Sequence, residues 1–586
     1  MRKFSIGVDF GSLSARAVLM DAETGKISAS STFSYPHGIM DSSFIDGTPL
    51  PPDWALHCPS DYWDALHYLI PDLLVQSKAR PDEIQGIGLD ATSCTILPAT
   101  GDGLPLSELP TFHNTPHAYI KLWKHHAAQP YVSAINDCVQ KLGLLSYYGG
   151  TVSSEHFLPK AVQIAMEAPD VYQAADRLLE VSDWLVWRLC GREVRNYSSA
   201  AYKSFYCPET GDLPKDFLCS IHPALHSLND KYPANIRQPG DLAGFLTPEA
   251  AAWVGLIPGI PVAAGCIDAH VTLLGCRIYT PDQLLMIIGT STCEILMSHT
   301  YRAVPGISGC VRDGILPGMV AYEGGQPCVG DLFAWFTSHC VPPEYWQEAA
   351  QKGLSIHDLL SEKAARLHPG ESGLIALDWW NGVRSLLLNF DLSGLLVGMT
   401  LRTKPEDIYR ALIEATAFGA RKIMDALTLS GLRINTIAMA GGIPEKNHLL
   451  TQLYADICKH DVRLIHTEQS GAAGSAVLGI AAARSGSRSI ADILRRFPAP
   501  SYTVFHPTPS SAATYDSLYQ IYCELYQCFG QKAALMQDLK RIKECGQAAS
   551  RRKEEGTARA VSQPAEAAQA LAAEEQCPSN AIQHRD

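Results

Sequence analysis

Alternation of apolar and polar positions is the first pattern in the chain. A β-prone run covers residues 4–9, the turn Gly11-Ser12-Leu13-Ser14 follows, and a second alternating run covers residues 16–20. Period-two patterning on both sides of a glycine-containing turn predicts a β-hairpin. The arrangement returns at residues 284–288, the turn Gly289-Thr290-Ser291-Thr292, and residues 293–297. Two like hairpins predict two related halves. Further strands are expected at residues 84–90 and 262–266, and helices at 161–167 and 183–189. The longest helix is expected to begin at a capping box, Thr403-x-x-Glu406, with Pro405 in its first turn. Ile408, Leu412, Ala415, Gly419 and Ile423 share one face of it, and Gly431 ends it.

Length turns this mixed α/β pattern into a domain expectation. A chain of 586 residues exceeds what one hydrophobic core normally holds, so two large domains with a cleft between them are expected. The boundaries drawn are 1–258, 259–543 and a tail over 544–586, where Ala, Glu, Gln, Arg and Ser replace large apolar residues and a mobile segment is expected. The terminal His584-Arg585-Asp586 matches part of a protein-kinase loop by chance, because no chain follows to supply its Asn.

Charge and cysteine usage narrow the partners. Asp and Glu number 60 against 47 Lys and Arg, a formal charge of −13, and no basic run interleaved with aromatics occurs, so nucleic acid is not expected. The 17 cysteines contain no Cys-x-x-Cys pair, and Cys94, Cys266 and Cys293 lie in apolar segments, which fits a reducing cytoplasm. Asp9 interrupts the only signal-like start. The apolar stretch from Leu256 to Cys276 carries Pro258, Pro261, Asp268 and His270, so no export signal and no membrane span are expected.

Several segments carry candidate chemistry. In Asp9-Phe10-Gly11-Ser12 a carboxylate enters a tight glycine turn, where backbone N–H groups can face a phosphate while Asp9 holds a hydrated Mg²⁺; an incidental surface hairpin is the competing interpretation. Gly289 and Thr290 supply a second such turn, although Gly, Ser and Thr populate turns for purely conformational reasons as well. No P-loop is present, and Gly86-Ile87-Gly88 stops short of a dinucleotide fingerprint. Asp268 follows a strongly apolar strand, at the end where open α/β sheets place ligand groups; locally, helix capping competes with that role. His270 is a rival base or a structural histidine. His117, Trp123, His125 and His126 invite a zinc site, but no cysteine or carboxylate stands at ligand spacing, and an amphipathic helix is expected there instead.

The order of an Asp-x-Gly-Ser hairpin, a Gly-Thr-Ser hairpin and a late Gly441-Gly442 turn resembles the sugar kinase, actin and Hsp70 superfamily. Gly394-Leu395-Leu396-Val397-Gly398-Met399, followed by Asp407, Ile408, Ala411 and Glu414, is similar to the C-terminal signature of the FGGY family of carbohydrate kinases. Four further segments resemble one branch of that family, which phosphorylates L-ribulose in L-arabinose catabolism: Asp90–Thr95, Pro116–His126, Tyr322–Gln326 and Asp378–Arg384. The resemblance runs from about residue 4 to 540, with Thr115 and the tail as departures.

That resemblance implies an α/β fold of two ribonuclease H-like, actin-like ATPase domains with the catalytic cleft between them, closing on ATP and sugar. It implies Asp268 as general base and a sugar site formed by Thr92, Ser93, Lys203, Asp268 and Glu323. Gly11, Ser12, Gly289, Thr290, Gly441, Gly442 and Asn447 would meet ATP, and Asp9 would organise Mg²⁺. A homodimer is one assembly it allows. A related kinase for D-ribulose, D-xylulose or a polyol, and a non-catalytic sugar or nucleotide sensor on the same fold, are the alternatives.

Overall fold

The computed structural model describes residues 2–546, apart from 233–234, 308, 485–488, 533 and 544. The tail expected from residue 544 therefore lies almost wholly outside the described residues.

Both expected hairpins form. Phe4–Phe10 pairs antiparallel with Ser14–Asp21, and Gln283–Ile288 with Thr292–Ser298. Each seeds a seven-stranded sheet, and six strands of each follow one plan: three antiparallel strands, then two parallel ones, then an antiparallel edge; the seventh is Cys266–Ile267 beside Ile84–Ala91 in the first sheet and Gly309–Arg312 beside Val320–Gln326 in the second. In the first sheet Ile27–Ser34 completes the antiparallel set, Ile84–Ala91 and Pro261–Ala263 run parallel, and Leu242–Phe245 forms the edge. In the second, Val320–Gln326, Thr436–Ala440, Val462–His466 and Ser501–Phe505 take the same places. The central strands of both sheets are largely buried on both faces, as helix-covered strands must be, and in the first the second face is made of Ser5, Gly7 and Asp9.

The strand expected at 262–266 is two strands, Pro261–Ala263 and Cys266–Ile267, and both pair with Ile84–Ala91. Between them the Ala264 amide leaves the sheet to bond the Asp241 carbonyl (2.8 Å). The chain after residue 259 thus re-enters the first sheet before it crosses to the second.

The expected helices form as Phe157–Glu167, Val181–Cys190 and Pro405–Leu429. The last starts one residue later than its capping box implied. The Lys404 amide donates to Asp407 Oδ2 (2.8 Å), while the Thr403 hydroxyl is occupied by the Thr400 amide (2.9 Å). Gly431, at φ 86°, follows its end.

Residues 116–126 do not form the expected amphipathic helix. A single 3-10 turn, Pro116–Ala118, leads into the short strand Ile120–Lys121, which pairs with Leu56–His57 and Ile96 in a small four-stranded sheet. Cross-strand pairing outweighs helix propensity because the residues from Ala118 to Leu122 are buried on all sides.

One helix joins the halves. Ser470–Ala483 leaves the second sheet and crosses the first with almost no side chains between. A Cβ on Gly7 would stand 1.9 Å from the Ala472 carbonyl oxygen, one on Gly86 2.1 Å from that of Gly479, and one on Gly88 2.0 Å from that of Ser475. Gly474 meets Val271 and Gly275 meets Ser470 in the same way, each at 1.9 Å. Around this crossing Val18 and Met20 of the first sheet, Leu285 and Ile295 of the second, and Ala472 and Val477 of the helix share one core.

Candidate active site

Strand register assembles the site. Asp9 stands level with Asp90 in the parallel pair, and Asp90 level with Cys266, so the chain delivers Asp268 two residues beyond, at the same edge of the sheet. Asp268 is the first residue of the helix Asp268–Gly275, and its Oδ1 accepts the Ala269 amide (2.7 Å). The carboxylate keeps part of its surface open to a cavity of about 160 Å³. That cavity is also walled by Ser12, Thr92, Ser93, Lys203, Thr290 and Glu323, so seven of the expected site residues, drawn from both halves, share one space.

Burial pushes Asp268 up to about 7, with the neighbouring Asp9 adding to it and the Ala269 amide working against it. A carboxyl held near neutrality is suited to taking a proton from a hydroxyl. Opposite it, Lys203 Nζ donates to Glu323 Oε1 (2.7 Å), and His270 Nε2 lies 2.9 Å from Glu323 Oε2. Burial opposes both charges of the pair, yet Lys203 and His270 hold Glu323 well below the ordinary carboxylate range, and Glu323 in turn holds Lys203 up.

Burial lowers His270, against the opposing pull of Glu323, and so favours the neutral ring. Because a carboxylate only accepts, its proton sits on Nε2 and Nδ1 accepts from Ser198 Oγ (2.7 Å). Both nitrogens are committed, so His270 fixes Glu323 rather than acting as the base. The histidines that invited a zinc site form no metal-ligand cluster among the described residues. His125 bonds the Ala55 amide and Gln163, His117 stands edge-on to Trp54, and His126 packs on Phe390.

The remaining expected residues, Asp9, Gly11, Gly289, Gly441, Gly442 and Asn447, are not among those that wall this cavity. The Gly11 and Gly289 amides close their own turns on Ser14 and Ser291 (3.1 and 2.9 Å), so these glycines offer a phosphate an uncluttered surface rather than those N–H groups. Gly441, at φ 114°, must be glycine: a Cβ would stand 2.2 Å from the Ile288 carbonyl oxygen. Nothing lies within 4 Å of the corresponding point on Gly442. Asn447 Oδ1 caps the helix His448–Cys458 by accepting the Leu450 amide (3.1 Å).

The donor set beside Asp9 fits a hard divalent cation. Burial raises Asp9, and it drives the adjacent Asp90 further up, with the Asp9 charge adding to it. Asp90 Oδ2 accepts from Ser475 (2.6 Å), while its buried Oδ1 has no partner among the described residues. Two carboxyl groups forced together, one with an oxygen to spare, suit a hydrated Mg²⁺. A second group of ligand types, His37, Cys58 and Asp61, is already satisfied internally: His37 Nδ1 bonds Asp61 (2.6 Å) and the Cys58 thiol pairs with Ser60.

Sequence reasoning did not single out Asp90, Glu155, His156 or Ser198. Asp90 entered only as the first residue of the resembling segment Asp90–Thr95, at the end of an expected strand. Glu155 and Ser198 sit in loop and short-helix segments without pattern.

Two like sheet domains, a cleft walled by both and a base-competent carboxylate at its centre define a phosphotransferase of the actin-like, ribonuclease H-like fold. Solved structures share that fold: gluconate kinase from Lactobacillus acidophilus (TM-score 0.74, 19% identity, 91% of this chain and 99% of that one) and xylulose kinase from Rhodospirillum rubrum (0.71, 21%, 90% and 98%). The N-terminal domain of the FGGY family of carbohydrate kinases matches residues 4–275 and its C-terminal domain residues 284–483. The chain belongs to the FGGY family of carbohydrate kinases. Similar relatives include the ribulokinases of Bacillus licheniformis (46% identical over 538 residues, 91% of this chain and 98% of that protein) and Mycolicibacterium smegmatis (43% over 545 residues, 92% and 96%). Among the described residues no helix is long and apolar enough to cross a membrane.

Proposed function

We propose that this kinase transfers the γ-phosphoryl group of ATP to the 5-hydroxyl of L-ribulose, forming L-ribulose 5-phosphate and ADP. The observation that carries the chemistry is the Asp268 carboxylate, poised near neutrality in a cavity that also holds the Lys203–Glu323 pair. The sugar assignment rests on relatives named ribulokinase that align with this chain over almost their whole length.

In this mechanism Asp268 accepts the O5 proton as O5 attacks the γ-phosphorus, and the bond from that phosphorus to the bridging oxygen breaks. Thr92, Ser93, Lys203 and Glu323 meet the sugar hydroxyls, each pairing that a wrong sugar fails to make counting against it. Asp9, with Asp90 beside it, would hold the Mg²⁺ shell; the ion, when bound, neutralises charge on the phosphates. Ser12 and Thr290 face the polyphosphate from the two hairpin turns, and Gly441, Gly442 and Asn447 border the nucleoside. Closure of the halves over both substrates excludes water. The reaction belongs to L-arabinose catabolism in the cytoplasm, and a homodimer is the assembly we propose.

ATP consumption coupled to product detection, with L-ribulose, D-ribulose, D-xylulose and glycerol supplied separately under saturating Mg²⁺, tests this assignment. Highest kcat/KM on L-ribulose supports it; preference for another sugar replaces the substrate and keeps the class, and turnover of none removes the activity.

The nucleotide side has its own test. Gly442→Ala places a methyl where, beyond the adjoining backbone, no protein atom lies within 4 Å, so the melting temperature should stay within about 1 °C of wild type. The KM for ATP should rise by about tenfold, the equivalent of ~1.4 kcal/mol. An unchanged KM for ATP would move the nucleoside away from this turn.

A further inference from the structure

Arg384 lies in the second half of the chain and reaches into the first. Its Nη2 donates to Glu155 Oε1 (2.9 Å), and its guanidinium lies over the Trp123 ring, 5.2 Å from the centroid. Trp123 in turn donates from Nε1 to Ser12 Oγ (2.9 Å). Arg384, Glu155, Trp123 and Ser12 all wall the cavity that holds Asp268. The Arg384 Nε–H is buried and has no partner among the described residues, although the side chain is only 11% exposed.

The loop that presents Arg384 is held tightly. Val383 and Asn389 exchange two backbone hydrogen bonds (2.9 and 2.8 Å), which closes the loop between them. Ser385 Oγ accepts the Gly325 amide of the second sheet (2.8 Å). The Leu386 amide bonds the Gly306 carbonyl, whose residue bonds Gly149 of the first half (2.7 and 2.9 Å). Leu386 and Leu388 both adopt left-handed backbone, at φ 75° and 49°, a conformation that leucine rarely takes. Non-glycine residues in such conformations persist where the surroundings over-determine them and cluster at ligand clamps.

We propose that Arg384 is a sugar-contacting residue that bridges the halves: its Nε–H donates to an oxygen of the bound sugar while Nη2 stays on Glu155. This rests on the carbohydrate-kinase assignment but not on which sugar is used. A planar guanidinium can hold a carboxylate and a second acceptor at once, which an ammonium cannot do in fixed geometry. Closing the cleft over the sugar and positioning its hydroxyl for Asp268 then depend on the same side chain.

The test uses the sugar with the highest kcat/KM in the substrate panel, so a different sugar does not affect it. Arg384→Ala should lower kcat/KM for that sugar by about 50-fold or more with the KM for ATP within about threefold of wild type, and added guanidinium should restore at least about tenfold of the loss. Arg384→Lys, which keeps the charge and the folded cleft, should remain at least about tenfold impaired. Glu155→Gln should be impaired, and combining it with Arg384→Ala should add little, because both act through one contact. Any of three results overturns the proposal: normal sugar kinetics in Arg384→Lys, loss in Arg384→Ala without guanidinium rescue, or a parallel rise in the KM for ATP.

Discussion

Asp268→Asn is expected to lower kcat by about two to four orders of magnitude while ATP still binds, because the change removes the proton acceptor and keeps the shape of the side chain. The Ala269 amide retains its acceptor, since the carboxamide oxygen can replace Oδ1. In the wild type, kcat/KM for the sugar should climb about tenfold per pH unit on the acid side and level off above about 7, where Asp268 loses its proton. The variant should lack that limb. Its stability should move the opposite way to its activity. A carboxyl raised from 3.8 to about 7 favours the folded state fully only below its unfolded value, and that contribution is lost as pH rises through the folded one. Above pH 7 the wild type therefore carries a buried charge beside Asp9 and Glu323 that the amide does not. The variant should be more stable there by up to about 4 kcal/mol, the free-energy equivalent of the shift, and nearly indistinguishable near pH 4. Initial rates and melting curves across pH check both halves of this expectation. A variant keeping a tenth of wild-type kcat would remove Asp268 from the role of base.

Gly88→Ala is expected to be severely damaging although it lies outside the cavity. The added methyl would stand 2.0 Å from the Ser475 carbonyl oxygen and 2.8 Å from the Gly479 nitrogen, both backbone atoms of the helix that joins the halves. No rotamer change can relieve a clash with backbone, so the cost should reach or pass the upper end of the overpacking range, about 3 kcal/mol. The displaced helix also carries Ser475, which bonds Asp90, and Gly471, where a Cβ would meet Asp9 Oδ2 at 2.6 Å. Activity should therefore fall with stability, and the apparent requirement for Mg²⁺ should rise because the carboxylates shift. Thermal melting and Mg²⁺ titration of the kinase rate read the two effects; a variant with wild-type melting would mean that the crossing is looser than these distances allow.

These two substitutions mark where local pattern ends. The hairpins at Phe4–Asp21 and Gln283–Ser298, the strand Ile84–Ala91 and the helix Pro405–Leu429 were legible because alternation, turn glycines and a one-faced stripe are local properties of adjacent residues. Membership of the kinase family was legible for a related reason: its signature residues occupy short contiguous motifs. The segment at 116–126 was not, since its burial comes from partners at Leu56–His57 and Ile96 that no window around it contains. Gly86 and Gly88 resemble a broken dinucleotide fingerprint in one dimension; in three they are the floor over which Ser470–Ala483 passes.

What the sequence determined by itself was therefore the set of repeated strand-and-turn units and the chemical types at their ends, Asp9, Asp268 and Thr290 among them. Only the tertiary structure decided which of those groups are neutral, charged or already paired. It commits both nitrogens of His270, links Lys203 to Glu323, sets Asp90 against Asp9 and brings Arg384 onto Glu155. The physical reason is that burial and electrostatic partnership are properties of what surrounds a group in space. In this fold part of those surroundings comes from the other half of the chain: Glu323 for Lys203 and Glu155 for Arg384.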